Sequence, residues 1–274
     1  DQRQQTLAGF AAASTGGLIL GQMSGGIIAD LIGWRYAFVA PALVYLIAGT
    51  ALWRARHRVP APPPVDNGQS AIRQTLTNYR NLFNDRWART VMILVGLEGA
   101  FYFGAIAFVP TFLHQSLGIA LWQAGLMVGI IGVGGLLFSL TARVVVTRLG
   151  IIRCAAIGGC ICAAGVLLVV VGARTPGFAH WLIVGLGCLA AGLGFTMLHN
   201  TLQTNGTQMR PEARGTAIAG FVMALFGGQA LGIALAAIII PHTGYALTLG
   251  VLASGLALVG LTFSNRLRAR ADTG

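Results

Sequence analysis

Two short stretches hold polar side chains able to exchange protons inside otherwise apolar sequence. In "VGLEGAFYFGAIAF" a lone acid, Glu98, is followed by Tyr102 four residues later, on the same face of a helix. In "FTMLHNTLQTN", Thr196, His199, Asn200 and Gln203 fall at i, i+3, i+4 and i+7, a single polar stripe. Histidine titrates near neutrality. A carboxyl in apolar surroundings is a functional candidate wherever the surroundings are lipid. For Glu98 the alternative is a protonated side chain satisfied by a neighbouring hydroxyl or carbonyl. For His199 it is a hydrogen-bonded structural residue. No two histidines and an acid fall on adjacent turns, so a hydrolytic or metal-dependent enzyme is not expected, and no cofactor or metal site is read. The four cysteines, Cys154, Cys160, Cys162 and Cys188, lie in apolar runs and read as small packing residues.

The elements that would position these groups are membrane helices. Hydrophobic residues make up 55% of the 274-residue chain and charged residues only 9%, against about 25% charged in soluble domains. Mean hydropathy is +0.75. Eight apolar segments of bilayer-spanning length are expected, roughly 7–29, 36–53, 90–112, 120–142, 151–172, 180–204, 215–239 and 243–264. The long connection 54–89 is arginine-rich, then proline-rich. It ends in a stretch that sets Ile72, Leu76, Tyr79, Phe83 and Trp87 on one stripe, away from Arg73, Arg80 and Arg86, as an amphipathic surface helix would.

The net charge of +11 is carried entirely by arginine. With eight spans, sixteen of the 18 arginines fall on one side of the membrane and only Arg35 and Arg174 on the other. That asymmetry is the positive-inside pattern and puts both termini and the 54–89 connection in the cytoplasm. It accounts for the charge without nucleic acid. Measured from Arg89 and Arg210, Glu98 and His199 lie roughly 13 and 16 Å in from the cytoplasmic edge.

The chain also repeats itself. Offset by 211 residues, "RQQTLAGFAAASTGGLILGQ" lies over "RGTAIAGFVMALFGGQALGI", and twelve of the thirty-one positions from 3 to 33 match without a gap. The pairs include Gly17/Gly228, Gly21/Gly232 and Gly33/Gly244. The first two spans thus correspond to the last two. Residues 1–53 are expected to end one half, 54–89 to link, and 90–274 to form a six-helix second half with a cytoplasmic tail. By the same offset the first half would begin about 121 residues before Asp1, so twelve spans in two parallel halves are expected, of which this chain carries eight. A chain with those four helices absent would lack half its cavity.

Gly17, Gly21 and Gly25 recur every fourth residue in "GLILGQMSGG", one ridge of a helix along which another backbone can approach. This stretch resembles the fifth-helix motif of drug-proton antiporters of the major facilitator superfamily, glycine-x-x-x-glycine-proline-x-x-glycine-glycine. Gly17, Gly21, Gly25 and Gly26 match, and Gln22 stands in place of the proline. "GWRYAF" (33–38) is similar to that family's turn into the sixth helix, and "RLGIIR", with Arg148, Gly150 and Arg153, resembles its basic cytoplasmic loop between the eighth and ninth. "MLHNTLQTNGTQMRPEARGTA" resembles the arabinose-efflux-permease-like branch.

The resemblance implies an all-α membrane bundle in the bacterial inner membrane, here helices five to twelve, working as a monomer on a small-molecule substrate and protons. It places Glu98 and Tyr102 on helix seven and the His199 stripe on helix ten, two of the four helices that line the central cavity. It implies that the glycine ridge seals or rocks the interface between halves, although ordinary close packing needs the same geometry. Proton-driven efflux is the expected function, uptake of a sugar or other metabolite the alternative, and a non-transporting scaffold the third reading.

Overall fold

The computed structural model describes Gly17, Gly21, Ser24, Gly25, residues 27–56 and residues 71–272. Every regular element among them is helical. After a first helix that ends at Leu31 come α1 (Tyr36–Ala55), α2 (Ala71–Asn84), α3 (Arg86–Ile106), α4 (Val109–Leu117), α5 (Leu121–Gly172), α6 (Ala179–Thr207), α7 (Arg214–Thr243) and α8 (Tyr245–Ala271). Most of the expected span 7–29, Gly26 included, and residues 57–70 of the connection lie outside the described residues.

Among the described residues, six helices are long and apolar enough to cross a membrane, counting α3 with α4 as one. The chain is an integral membrane protein. The 52-residue α5 supplies two crossings because it breaks at Gly150, where φ is 76° and ψ 156°. Its contacts with α6 show the reversal. Ile130 approaches Gly185 and Gly135 approaches Thr196, so that arm climbs α6; Gly158 approaches Leu198 and Gly165 approaches Gly187, so the second arm descends it. Seven of the eight expected crossings are therefore described, and the expected spans 120–142 and 151–172 are the two arms. A side chain at this φ and ψ is strained. Gly150→Ala is expected to cost about 1–3 kcal/mol, read as a lowered midpoint of thermal unfolding in detergent; an unchanged midpoint would mean that the turn has another conformation.

The expected span 90–112 runs on to Leu117. Pro110 interrupts α3 but sits in the first turn of α4, where its missing N–H costs nothing, and Gly118 ends α4 with φ 66°. The start of α5 is held from two directions: the Gln123 carboxamide accepts the Ala120 N–H at 2.9 Å, and the Asp30 carboxylate accepts the Trp122 N–H at 2.7 Å. Asp30 thus caps a helix 92 residues away in sequence and ties the end of the first helix to the start of α5.

The bundle is glycine-seamed. The α3–α7 contact is closed by Gly228 over the backbone of Gly96 and Gly232 over that of Ala100; the α5–α6 contact by Gly192 over Ile131 and Gly165 over Gly187. Helix α2 docks through Leu82, fully buried, and half-buried Tyr79, with Leu82 against Gly220 of α7. Leu76 and Phe83 of the expected stripe instead stay exposed, 65% and 55%. The stripe splits between buried and exposed positions because α2 packs along α3 and α7.

Candidate functional site

Glu98 lies on α3 at full burial, the most deeply placed charged residue among those described. His199 reaches it from α6: Nδ1 stands 2.8 Å from Oε2 of Glu98. Two residues read from sequence as separate candidates at similar depth are one hydrogen-bonded pair. The second carboxyl oxygen, Oε1, has no hydrogen-bond partner among the described residues, nor does Oε1 of the nearby-helix residue Gln229 on α7. A buried carboxylate normally fills its acceptor sites. An unpaired buried oxygen beside an imidazole is a place where a proton can reside.

Aromatic rings wall the pair. Phe195, one turn before His199 on α6, stacks on the imidazole with centroids 5.2 Å apart, and Phe221 of α7 lies 5.7 Å away on a tilted plane. Tyr102 stacks on Phe195 at 3.7 Å and is itself nearly buried. These rings exclude water from the Glu98–His199 contact and keep the local dielectric low, which strengthens the pair and raises the cost of leaving either partner alone. Tyr102, Phe195 and Thr196 also line a small cavity of about 90 Å³ with Gly135 and Ser139 of α5.

The rest of the stripe divides. Thr196 turns its hydroxyl onto the Gly192 carbonyl at 2.8 Å, within its own helix. Asn200 and Gln203 are exposed on the side of α6 away from the core. The structure therefore brings Glu98, Tyr102, His199 and Thr196 together and leaves Asn200 and Gln203 facing outward. Phe221 and Ser139 were not read from sequence: aromatic and hydroxyl residues on other apolar helices carry no signal of which helix they will meet. Phe195 did carry one, the i, i+4 spacing to His199.

Of the other candidate residues, Arg148 and Arg153 flank the Gly150 break at the end of the two arms of α5. Added side chains at Gly17, Gly21 and Gly25 would meet no described atom within 4 Å, and these glycines line a groove of about 500 Å³ between the first helix and α1. The ridge is open. Its repeat counterparts, Gly228 and Gly232, are closed against α3.

The family model described as Major Facilitator Superfamily matches residues 1–211, about three quarters of the chain. The chain belongs to the major facilitator superfamily. A crystal structure of the nucleoside transporter NupG, in a mutant form, superposes with a TM-score of 0.68 at 19% identity, over 91% of this chain and 64% of that one. This superfamily member therefore shares the fold of that transporter and spans 64% of its length. No curated protein matches it significantly.

Proposed function

We propose that the protein is a secondary active transporter that exports a small molecule against proton entry by alternating access. The observation that carries this reading is the Glu98–His199 pair: a hydrogen-bonded acid and imidazole, 2.8 Å apart, inside a superfamily bundle, with one carboxyl oxygen open. A proton taken up by the pair breaks its charge balance and changes what the open oxygen can bind. A substrate donor and a proton then compete for one site, which is the logic of exchange. Tyr102, Thr196 and the exposed Asn200 and Gln203 would extend the site toward the other half of the transporter. No step needs a metal or cofactor, and the reading is of a transporter rather than an enzyme.

The finer features of this reading rest on the sequence. The drug-proton antiporter branch follows from the ridge at Gly17, Gly21, Gly25 and Gly26 and from "MLHNTLQTNGTQMRPEARGTA". The linker at 54–89 between 1–53 and 90–274 is supported by the repeat, and the cytoplasmic termini by the arginine asymmetry; helices five to twelve, a bacterial inner membrane and a monomer are what the family resemblance implies. Metabolite uptake is the alternative, and the likeness to a nucleoside transporter earns nucleosides a place among the substrates to be tried.

Flux in proteoliposomes under an imposed pH gradient, screened with drug cations, nucleosides and sugars, tests the function. Gradient-driven accumulation of any one supports it; a tight membrane with no flux of any would favour the scaffold reading. Orientation has its own test. In a chain whose exposed Cys160 is replaced by serine, a cysteine at Arg174 is expected to react with an impermeant reagent added outside cells, and one at Asn67 is not. The reverse pattern would invert the topology.

A further inference from the structure

An apolar groove runs down the outside of the bundle between α3 and α8, apart from the Glu98–His199 site. Thr90, Ile93, Leu94, Leu97 and Phe101 line one wall, and Gly255, Leu258, Val259, Thr262 and Arg266 the other. Both sets follow the same spacing, i, i+3, i+4, i+7 and i+11, so each is one straight face of its helix. The helices are antiparallel here. Thr90 and Arg266 share one end, and at the other the Phe101 ring lies where a side chain on Gly255 would be. Leu94 and Val259 are buried and make the floor, while Ile93, Leu97 and Leu258 stand exposed along the rim.

We propose that this groove is a binding site for one anionic phospholipid of the leaflet on the arginine-rich side, with an acyl chain in the groove and the phosphate at Arg266. The dimensions fit. Eleven residues of helix rise about 16 Å, close to half of the roughly 30 Å hydrocarbon core, so the groove spans one leaflet from headgroup depth to midplane. Its volume is about 420 Å³. The lining is apolar except at the headgroup end, where Arg266 and the Thr90 and Thr262 hydroxyls gather. No lining residue is acidic, and Arg266 joins neither of the two ion pairs formed among the described residues. One turn further out, Arg270 lies over the Trp87 ring at 4.5 Å, and Trp87 stacks on Phe263. A tryptophan and arginines at this level are the interfacial anchors that fix how deep the groove sits. Guanidinium suits phosphate because its planar fork donates two parallel hydrogen bonds. A lipid, and not a soluble anion, fits because the charge lies at the mouth of an apolar slot open to the bilayer.

Native mass spectrometry of the detergent-purified protein, titrated with phosphatidylglycerol and with phosphatidylcholine of the same acyl chains, tests the site. Phosphatidylglycerol is expected to bind about fivefold more tightly at one site, the effect of one arginine near the headgroup plane. Arg266→Gln should remove that preference and retain one anionic lipid fewer. Arg268→Gln, on the same helix but outside the groove, should change neither. Leu97→Trp, which fills the slot, should exclude lipids of both headgroups from this site. Excess inorganic phosphate should not displace the lipid. Equal affinity for the two lipids, an unchanged preference in Arg266→Gln, or displacement by phosphate would each overturn the proposal. So would a Leu97→Trp variant, folded by size-exclusion profile, that keeps its lipid.

Discussion

Glu98→Gln is expected to abolish transport driven by a pH gradient while substrate-for-substrate exchange survives. Glutamine keeps the shape of the side chain, and its amide can still bond to the imidazole, so binding is retained. What it removes is the proton-exchanging oxygen, the one whose partner is missing from the described residues. Loss of coupling without loss of exchange would place the effect on the proton and not on folding. His199→Asn is expected to act differently. It leaves Glu98 able to titrate but strips away the 2.8 Å contact, so the pH dependence of flux should shift while flux persists. Both variants are measured in the whole protein in proteoliposomes, by counterflow and by gradient-driven uptake in parallel. A Glu98→Gln variant with the parental pH profile would exclude Glu98 as the coupling group.

The other large effect is on the fold. Gly192→Leu is expected to prevent stable assembly of the bundle. A side chain there would overlap the backbone of Ile131 on α5, and a carbonyl in a helix cannot swing aside as a side chain can. Forcing atoms into a packed core costs about 1–3 kcal/mol, and relief would require α5 and α6 to separate. That separation would also carry Phe195 and His199, on the same helix, away from Glu98. Gly227→Leu is the matched control, since Gly227 is exposed and a Cβ there meets no described atom within 4 Å. Size-exclusion profile and thermal midpoint in detergent should be lost or sharply lowered for the first and unchanged for the second. Equal behaviour of the two would mean that the α5–α6 seam is looser than its geometry indicates.

The contrast between these glycines shows what the sequence could carry. A four-residue spacing marks a ridge, and ridges in this chain do close helix contacts, but spacing does not say which partner arrives. Gly228 and Gly232 meet α3, whereas their repeat partners Gly17 and Gly21 meet nothing described. The crossings were legible because about 20 apolar residues must span a bilayer whatever they pack against. The turn at Gly150 was legible as a short basic loop, but not its single-residue tightness, which is a matter of φ and ψ. Depth was legible too: counting residues from the flanking arginines put Glu98 and His199 at similar levels. Their bond was not, because rotation of α3 against α6 is set by the glycine seams among α3, α5, α6 and α7, and those depend on every helix at once. Helix α2 shows the same limit. Its amphipathic period was readable, yet Leu82, and not Leu76 or Phe83, became the docking residue once α7 was beside it.

The central claim is that Glu98 and His199 take up and release a proton as a pair. An infrared pH titration of the purified protein tests it without knowledge of the substrate. The other acids of the chain give protonated-carboxyl bands in every variant, so the reading is the difference spectrum: one carboxyl component should appear in the parent as pH falls, be missing from Glu98→Gln, and titrate with a shifted midpoint in His199→Asn. Identical carboxyl bands in the parent and Glu98→Gln across the whole titration would contradict the account.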